Sequence, residues 1–330
     1  VILLLGRYFA AKPIKGKARR EFDAGWAMHH MPPMTMQHFD NQLAGRRRVR
    51  AAQGEVADFL LTGVAEDIAE RLMLVQRTFT ALADIATPTD ALRAALAARG
   101  WPVVVATEAV EELARRRAAP IVVAAPDMLP FAEQSLDLAV SALGLQFVDD
   151  LPGLFVQVRR ALKPDGLFLA ALLGGDTLTE LRQAFAAAES ELDGGLSPRV
   201  APFADVRDIG GLLQRAGFAL PVTDSDRLTV RYRDVFALMR DLRAMGATNP
   251  LVARRRVPLR RATLLRMAAI YHERFADPDG RIRATFQVVT LSGWAPHDSQ
   301  QKPLRPGSAK ARLADALKAV EWPAGEKPGS

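Results

Sequence analysis

A doubly wound, Rossmann-like α/β sheet of seven strands, with a helical insertion between the last two, is the fold this sequence predicts. Three observations predict it. Short apolar runs alternate with helically spaced segments, the rhythm of repeated βαβ units. The two central runs, Leu136–Ala142 and residues 167–173, are continuously apolar rather than alternating, as expected of parallel strands covered on both faces. Between them, residues 151–162 have helical spacing and stop at Lys163-Pro164-Asp165-Gly166, a β-turn with Pro at its second position.

The other elements follow in order. Residues 1–33 are basic and then rich in Met, His and Pro, with no period. We expect residues 1–35 to be a disordered tail or a start assigned upstream of the true one. His29, His30 and His38 have no accompanying acid or Cys cluster, so no metal site is expected there. Residues 39–73 read as charged helix. Strands are expected at 78–85, 102–106 and 121–124, with helices at 91–98 and 110–117 between them. After the central unit come helices at 178–192 and 205–216, the first with Thr177 and Glu180 at capping-box spacing. Residues 227–232 alternate as a strand, and 284–294 form the last strong one. Two helices, 235–245 and 263–275, fall between these strands. The expected domains are an α/β core with N-terminal helices over 36–233, an insertion over 234–283 acting as a lid or docking surface, and the last strand with an extended tail over 284–330.

Composition excludes several functions. There is no Cys, which removes disulfides and thiolate chemistry and fits a reducing, cytoplasmic compartment. No apolar run approaches the roughly 20 residues of a membrane helix. The net charge of +7 is local: residues 1–50 hold ten Lys and Arg against three Asp and Glu, and the other 280 residues balance at 34 and 34. A neutral globular body argues against nucleic acid as a partner. The run Arg46-Arg47-Arg48-Val49-Arg50 reads as a solvated face, or as a contact to an acidic partner or an anionic membrane surface. Ser-His-Asp arrangements, metal-ligand spacings and P-loops are absent from the sequence.

The central unit resembles the S-adenosylmethionine-dependent methyltransferases of the seven-stranded α/β fold, the type-11 methyltransferase domain. The residues that carry the resemblance are Leu129-Pro130-Phe131, Leu136-Asp137-Leu138 and Leu162-Lys163-Pro164-Asp165-Gly166. One branch is indicated by Gly174-Gly175-Asp176-Thr177-Leu178, Gly194-Gly195-Leu196-Ser197-Pro198, Pro202-Phe203, Leu212-Leu213-Gln214-Arg215-Ala216-Gly217-Phe218 and Gly293-Trp294-Ala295-Pro296-His297. It is similar to the respiratory complex I assembly-factor family, linked to hydroxylation of an arginine in a complex I subunit. The malonyl-acyl-carrier-protein methyltransferases of biotin synthesis are more distant relatives. The similarity runs over residues 39–314. It implies S-adenosylmethionine as cofactor, a protein substrate or complex I subunit as partner, and a cytoplasmic site, peripheral to the inner membrane.

The chain departs from that pattern where the cofactor should bind. A glycine-rich turn after the first strand lets the backbone approach the methionine moiety. The family writes Asp-Leu-Gly-x-Gly-x-Gly; this chain has Asp84-Ile85-Ala86-Thr87-Pro88-Thr89-Asp90. Ala86, Pro88 and Asp90 fill the glycine positions, and Pro88 removes a backbone donor. At the end of the second strand, Thr107 aligns with the ribose-binding acid, and Glu108 substitutes only if the strand end shifts by one. Ala125 stands where an Asp should receive the adenine amine, with Asp127 and Met128 beyond it. The expectation is a lost or remodelled donor pocket, with a local realignment as the alternative.

The remaining candidates keep two readings each. Asp84 organises the first loop or merely ends the strand. Ser141 and Leu143 follow the fourth strand, where cofactor and substrate meet in the family. Gln146 is a substrate contact or a hydrogen-bonded core residue. Asp176 faces the pocket mouth or belongs to a helix start. Trp294 and His297 are a rim contact or a packed Trp and a surface His. Arg255 and Arg260 belong to a basic stretch, 254–266, without an acid in it, read as a solvated face or a docking patch. Two functional classes stay open: an enzyme acting on a protein arginine or a small acyl substrate, and a catalytically silent assembly chaperone.

Overall fold

The computed structural model describes residues 37–117 and 120–301. Two units are distinguished, Val1–Pro296 and His297–Ser330. The N-terminal tail and the C-terminal extension expected from the sequence lie almost wholly outside the described residues.

Two helices lead in, α1 (Asn41–Ala51) and α2 (Phe59–Met73). Then follow β1 (Leu82–Asp84), α3 (Ala91–Ala97), β2 (Val105–Glu108), α4 (Glu111–Ala114), β3 (Ile121–Val123), β4 (Leu136–Ala142), α5 (Leu151–Ala161) and β5 (Leu162–Leu173). The second half holds α6 (Thr179–Leu192), α7 (Val206–Arg215), β6 (Ala219–Tyr232), α8 (Val235–Ala244), α9 (Arg261–Phe275) and β7 (Ile282–Trp294). The sheet order is β3-β2-β1-β4-β5-β7-β6, with the first five strands parallel and β7 antiparallel to both its neighbours. The order reverses between β1 and β4, which puts the ligand crevice of such a sheet beyond their carboxyl ends.

Aspartates start the helices. Asp40, Asp150, Asp205 and Asp234 each accept a backbone amide of the first turn, at 2.7–2.9 Å. The apolar strands split the core in two. Leu138, Val140 and Leu169 pack with α2, α3, α6 and α9 on one face, and Ala139, Phe168 and Ala170 with α5 and α7 on the other. The insertion is present as α8 and α9. Met267, Ile270 and Tyr271 of α9 are fully buried in the same core as Leu181 and Phe185 of α6.

Three expectations are corrected. The first strand is shorter than 78–85, because the Asp137 carboxylate takes the amides of Thr80 and Ala81 at 3.0 and 2.9 Å. The strand read at 227–232 begins at Ala219: it is a sheet edge whose first half has no buried position, only half-buried residues alternating with exposed ones, so ALPVTDSD carries little apolar signal. Thr177 and Glu180 form no capping box. The Thr177 hydroxyl bonds the Gln287 backbone, and the Glu180 carboxylate accepts from Thr285, so both tie α6 to β7. Among the described residues no helix is long and apolar enough to cross a membrane.

Candidate functional site

A cleft of about 1010 Å³ lies at the carboxyl ends of the parallel strands. Its floor is the loops after β1, β2, β3 and β4, where Ala86, Pro88, Ala109, Ala125, Leu143 and Gln146 line it, and α1, α2 and α8 wall it. Glycines set two of these walls. A Cβ on Gly45 would stand 3.0 Å from Val110, and one on Gly246 3.0 Å from the Arg48 backbone, so α1 is wedged between the end of β2 and the insertion.

The loop after β1 keeps the backbone shape of a glycine turn without the glycines. Ala86 has φ +57, the left-handed region that glycine enters freely and a side chain enters at a cost. Its amide donates to the Thr107 hydroxyl at 3.0 Å, which uses the hydroxyl standing at the ribose position. Its carbonyl abuts Gly144, where a Cβ would come within 2.4 Å. Thr87 is buried beneath: its hydroxyl donates to Asp84 and accepts the Ala142 amide. The space that a donor's carboxylate would share with a glycine backbone is bounded by the Ala86 Cβ and by Pro88, which offers no N–H.

The acids nearby are already paired. Glu108, 1% exposed, accepts from both terminal nitrogens of Arg48, at 2.9 and 2.5 Å, and from the Val110 amide at 3.0 Å. Arg117 closes the other side. Its guanidinium donates to the carbonyls of Thr87 and Thr89 at 2.8 Å each and to Asp90 at 3.1 Å. It stands 3.6 Å from Asp84 and 3.8 Å from Glu108. These residues do not fit S-adenosylmethionine. The ribose position is a spent Thr107, the neighbouring carboxylate is held by two arginines, and the methionine turn lacks its glycines. Neither Arg48 nor Arg117 stood out in the sequence. Arg48 was one of a run read as outward-facing, and the structure corrects that: Arg47 and Arg48 both turn inward onto protein groups. The available signal was the adjacent Thr107-Glu108, an acid that needs a partner once buried.

Asp84 is fully buried, and burial pushes its carboxyl up to about 6 against the lowering influence of Thr87, Arg117 and Arg93. The folded state therefore holds this proton at a pH where the unfolded chain has lost it. Stability contributed by the protonated form is present at low pH and disappears as pH rises from about 4 through about 6. With the ordinary value at 3.8, the shift corresponds to about 3 kcal/mol. Asp84→Asn removes that dependence. Urea titrations at pH 4.5 and pH 7.5 are expected to show wild type losing about 2 kcal/mol more than the variant over the interval.

The other candidates divide. Leu143, with φ +48, and Gln146 line the cleft; the Gln146 amide donates to the Leu143 carbonyl at 2.8 Å, and its Oε1 is buried without a partner among the described residues. Ser141 is buried under the floor, its hydroxyl likewise unpartnered. Asp127 and Met128 are corrected: neither lines the cleft. The turn from Ala125 is pinned by Gln157, which donates to the Asp127 carbonyl at 2.7 Å, and Met128 is left 71% exposed. Asp176 also stays out of the cleft, because its carboxylate pairs with Arg227 on β6. Trp294 is at the wrong end. β7 runs antiparallel, so Trp294 faces Leu167 at the start of β5, under the Arg77 guanidinium at 5.4 Å. His297 belongs to the second unit, exposed, its ring bonded to Ser299 at 2.7 Å. The basic stretch is not free of acids in space. Arg254 pairs with Asp40, Arg255 and Arg260 with Asp193, and Arg266 with Glu191 and Glu273. Among the described residues no group of three or more His, Asp or Glu could hold a metal ion.

A methyltransferase-domain family model matches residues 83–170. Arginine-hydroxylase NDUFAF5 of Danio rerio is 36% identical over 291 residues, covering 86% of this chain and 90% of that protein. The Homo sapiens protein of the same name is 35% identical over 322 residues, 94% and 93% of the two chains. The malonyl-[acyl-carrier protein] O-methyltransferase of Xylella fastidiosa (strain M23) is 42% identical over 168 residues, 51% of this chain and 55% of that enzyme. Identity of 35–36% spread over nearly the whole of both chains places this chain in the arginine-hydroxylase NDUFAF5 family.

Proposed function

We propose that this chain acts in respiratory complex I assembly as a methyltransferase-fold protein that handles a protein partner without drawing on S-adenosylmethionine. One observation supports the reading above others: the acid at the end of β2 and the carbonyls of the first loop are already satisfied by Arg48 and Arg117. The cleft itself persists, with its apolar walls and the unpaired Gln146 oxygen. Its relatives carry the name arginine-hydroxylase, and the partner proposed is accordingly an arginine-bearing segment of a complex I subunit. The place proposed is the cytoplasmic side of the inner membrane, where the exposed Arg46 and Arg50 of α1 face an anionic surface.

Calorimetric titration with S-adenosylmethionine tests the first half. No heat of binding is expected below about 1 mM, and a micromolar dissociation constant would falsify the reading. A second reading, an O-methyltransferase of small or carrier-borne acids, draws on the similarity to the Xylella fastidiosa enzyme. The same titration separates the two, because that reading requires the donor.

A further inference from the structure

A second cavity, of about 350 Å³, adjoins the main cleft and shares the walls Phe147, Leu178, Phe203 and Leu242 with it. Its charged lining has one sign. Arg47, Arg199, Arg243, Arg254 and Arg255 border it, and no Asp, Glu, Lys or His does. Three of the five are neutralised from behind. Arg199 donates to Glu189 at 2.7 Å, Arg254 to Asp40 at 3.0 Å and Arg255 to Asp193 at 2.9 Å.

The other two are ion-paired to no acid among the described residues; the one acid that acts on Arg47 is Asp40, which Arg254 already holds. Arg47, half-buried on α1, donates only to the carbonyls of Thr248 and Asn249, at 3.1 and 2.6 Å. Arg243, in the last turn of α8, is exposed, and its guanidinium has no hydrogen-bond or ion-pair partner among the described residues. Burial, and then repulsion from Arg254, pulls the Arg47 guanidinium below its ordinary value. A partly buried cation whose nearest acid is shared with another arginine is unfavourable, and an oxyanion brought into this pocket supplies the missing counter-charge.

We infer that this pocket binds a small molecule carrying one oxyanion, carboxylate or phosphate, on an apolar body. The oxyanion sits between Arg47 and Arg243, whose forked donors match it. The apolar part runs along Phe147, Leu178 and Leu242 toward the main cleft. The volume is that of a small ligand site. Nothing in this inference uses Asp84, Glu108, Arg48 or Arg117, so it stands or falls apart from the donor reading.

The test is calorimetric titration of the full chain with octanoate, octyl phosphate, octanol and inorganic phosphate. At least one of the two amphiphilic anions is expected to bind about tenfold or more tightly than octanol and than inorganic phosphate, and the tighter of the two identifies the head group. Arg243→Gln, an exposed change that leaves the packing intact, is expected to weaken that anion by about tenfold; Arg47→Gln does the same but also frees the 248–249 backbone. Arg266→Gln, outside the pocket and paired with Glu191, is expected to bind as wild type does. The inference is overturned if octanol matches the anions, if Arg243→Gln binds like wild type, or if neither anion binds up to about 10 mM.

Discussion

Replacing Arg117 with Ala is expected to cost about 3–5 kcal/mol of stability. Its side chain is 6% exposed and does three things at once. It holds the loop after β1 through the Thr87 and Thr89 carbonyls, it anchors Asp90, and it supplies positive charge to the buried Asp84 and Glu108. Removing it leaves two buried carboxylates with less counter-charge and two carbonyls without a donor. Glu108 retains Arg48, so the greater burden falls on Asp84, whose Oδ2 has no hydrogen bond. Urea denaturation at pH 7 measures the loss. Adding Asp84→Asn to Arg117→Ala is expected to recover about 2 kcal/mol of it, a coupling that a double-mutant cycle reads directly. The Arg117→Ala chain alone should lose stability with rising pH over a window extending above that of wild type. The sign follows because Arg117 lowers the Asp84 value, and its removal raises the folded-state value further.

Gly144→Ala is expected to destabilise by about 2–4 kcal/mol, far more than a methyl group costs on an open loop. The new Cβ would lie 2.4 Å from the Ala86 carbonyl oxygen and 2.7 Å from its carbon, both backbone atoms. Ala86 cannot easily retreat, because its amide is bound to Thr107 and its φ of +57 is already unfavourable. The loops after β1 and β4 would have to separate, and the cleft floor with them. Ala at Gly211, inside α7 where a Cβ meets nothing within 4 Å, is the control and should stabilise by about 0.5–1 kcal/mol, the ordinary gain of Ala over Gly in a helix. Equal midpoints for the two variants would mean that the loops do not touch.

The fold was legible where burial is two-sided. β4 and the 167–173 part of β5 announce themselves as unbroken apolar runs, and α5 between the two strands carries an Asp cap that local chemistry makes readable; the expected turn at 163–166 is instead the first part of β5. The first half of β6 was not legible, because an edge strand with neither face buried needs no apolar residue at every second position. Strand direction is not written in apolar period either, so the sequence leaves a rim contact open for Trp294 beside the packed reading, and β7 carries it to the opposite end of the sheet, packed against the core. The loss of the glycine turn at Ala86, Pro88 and Asp90 could be read residue by residue. What replaced it could not. Arg48 meets Glu108 across 60 residues of chain, and Arg117 meets Thr87 across 30; neither spacing has a local signature. The same distance hid the acids behind the basic stretch of the insertion, where Asp193 waits at the end of α6.

Crystals of the full chain soaked in S-adenosylmethionine give the most direct reading of whether side chains have taken over the donor's place. The account predicts Arg117 on the carbonyls of Thr87 and Thr89, Arg48 on Glu108, and no donor density between Ala86 and Glu108. Ordered donor density there, with its ribose on Glu108 and the two guanidinium groups swung away, would contradict it.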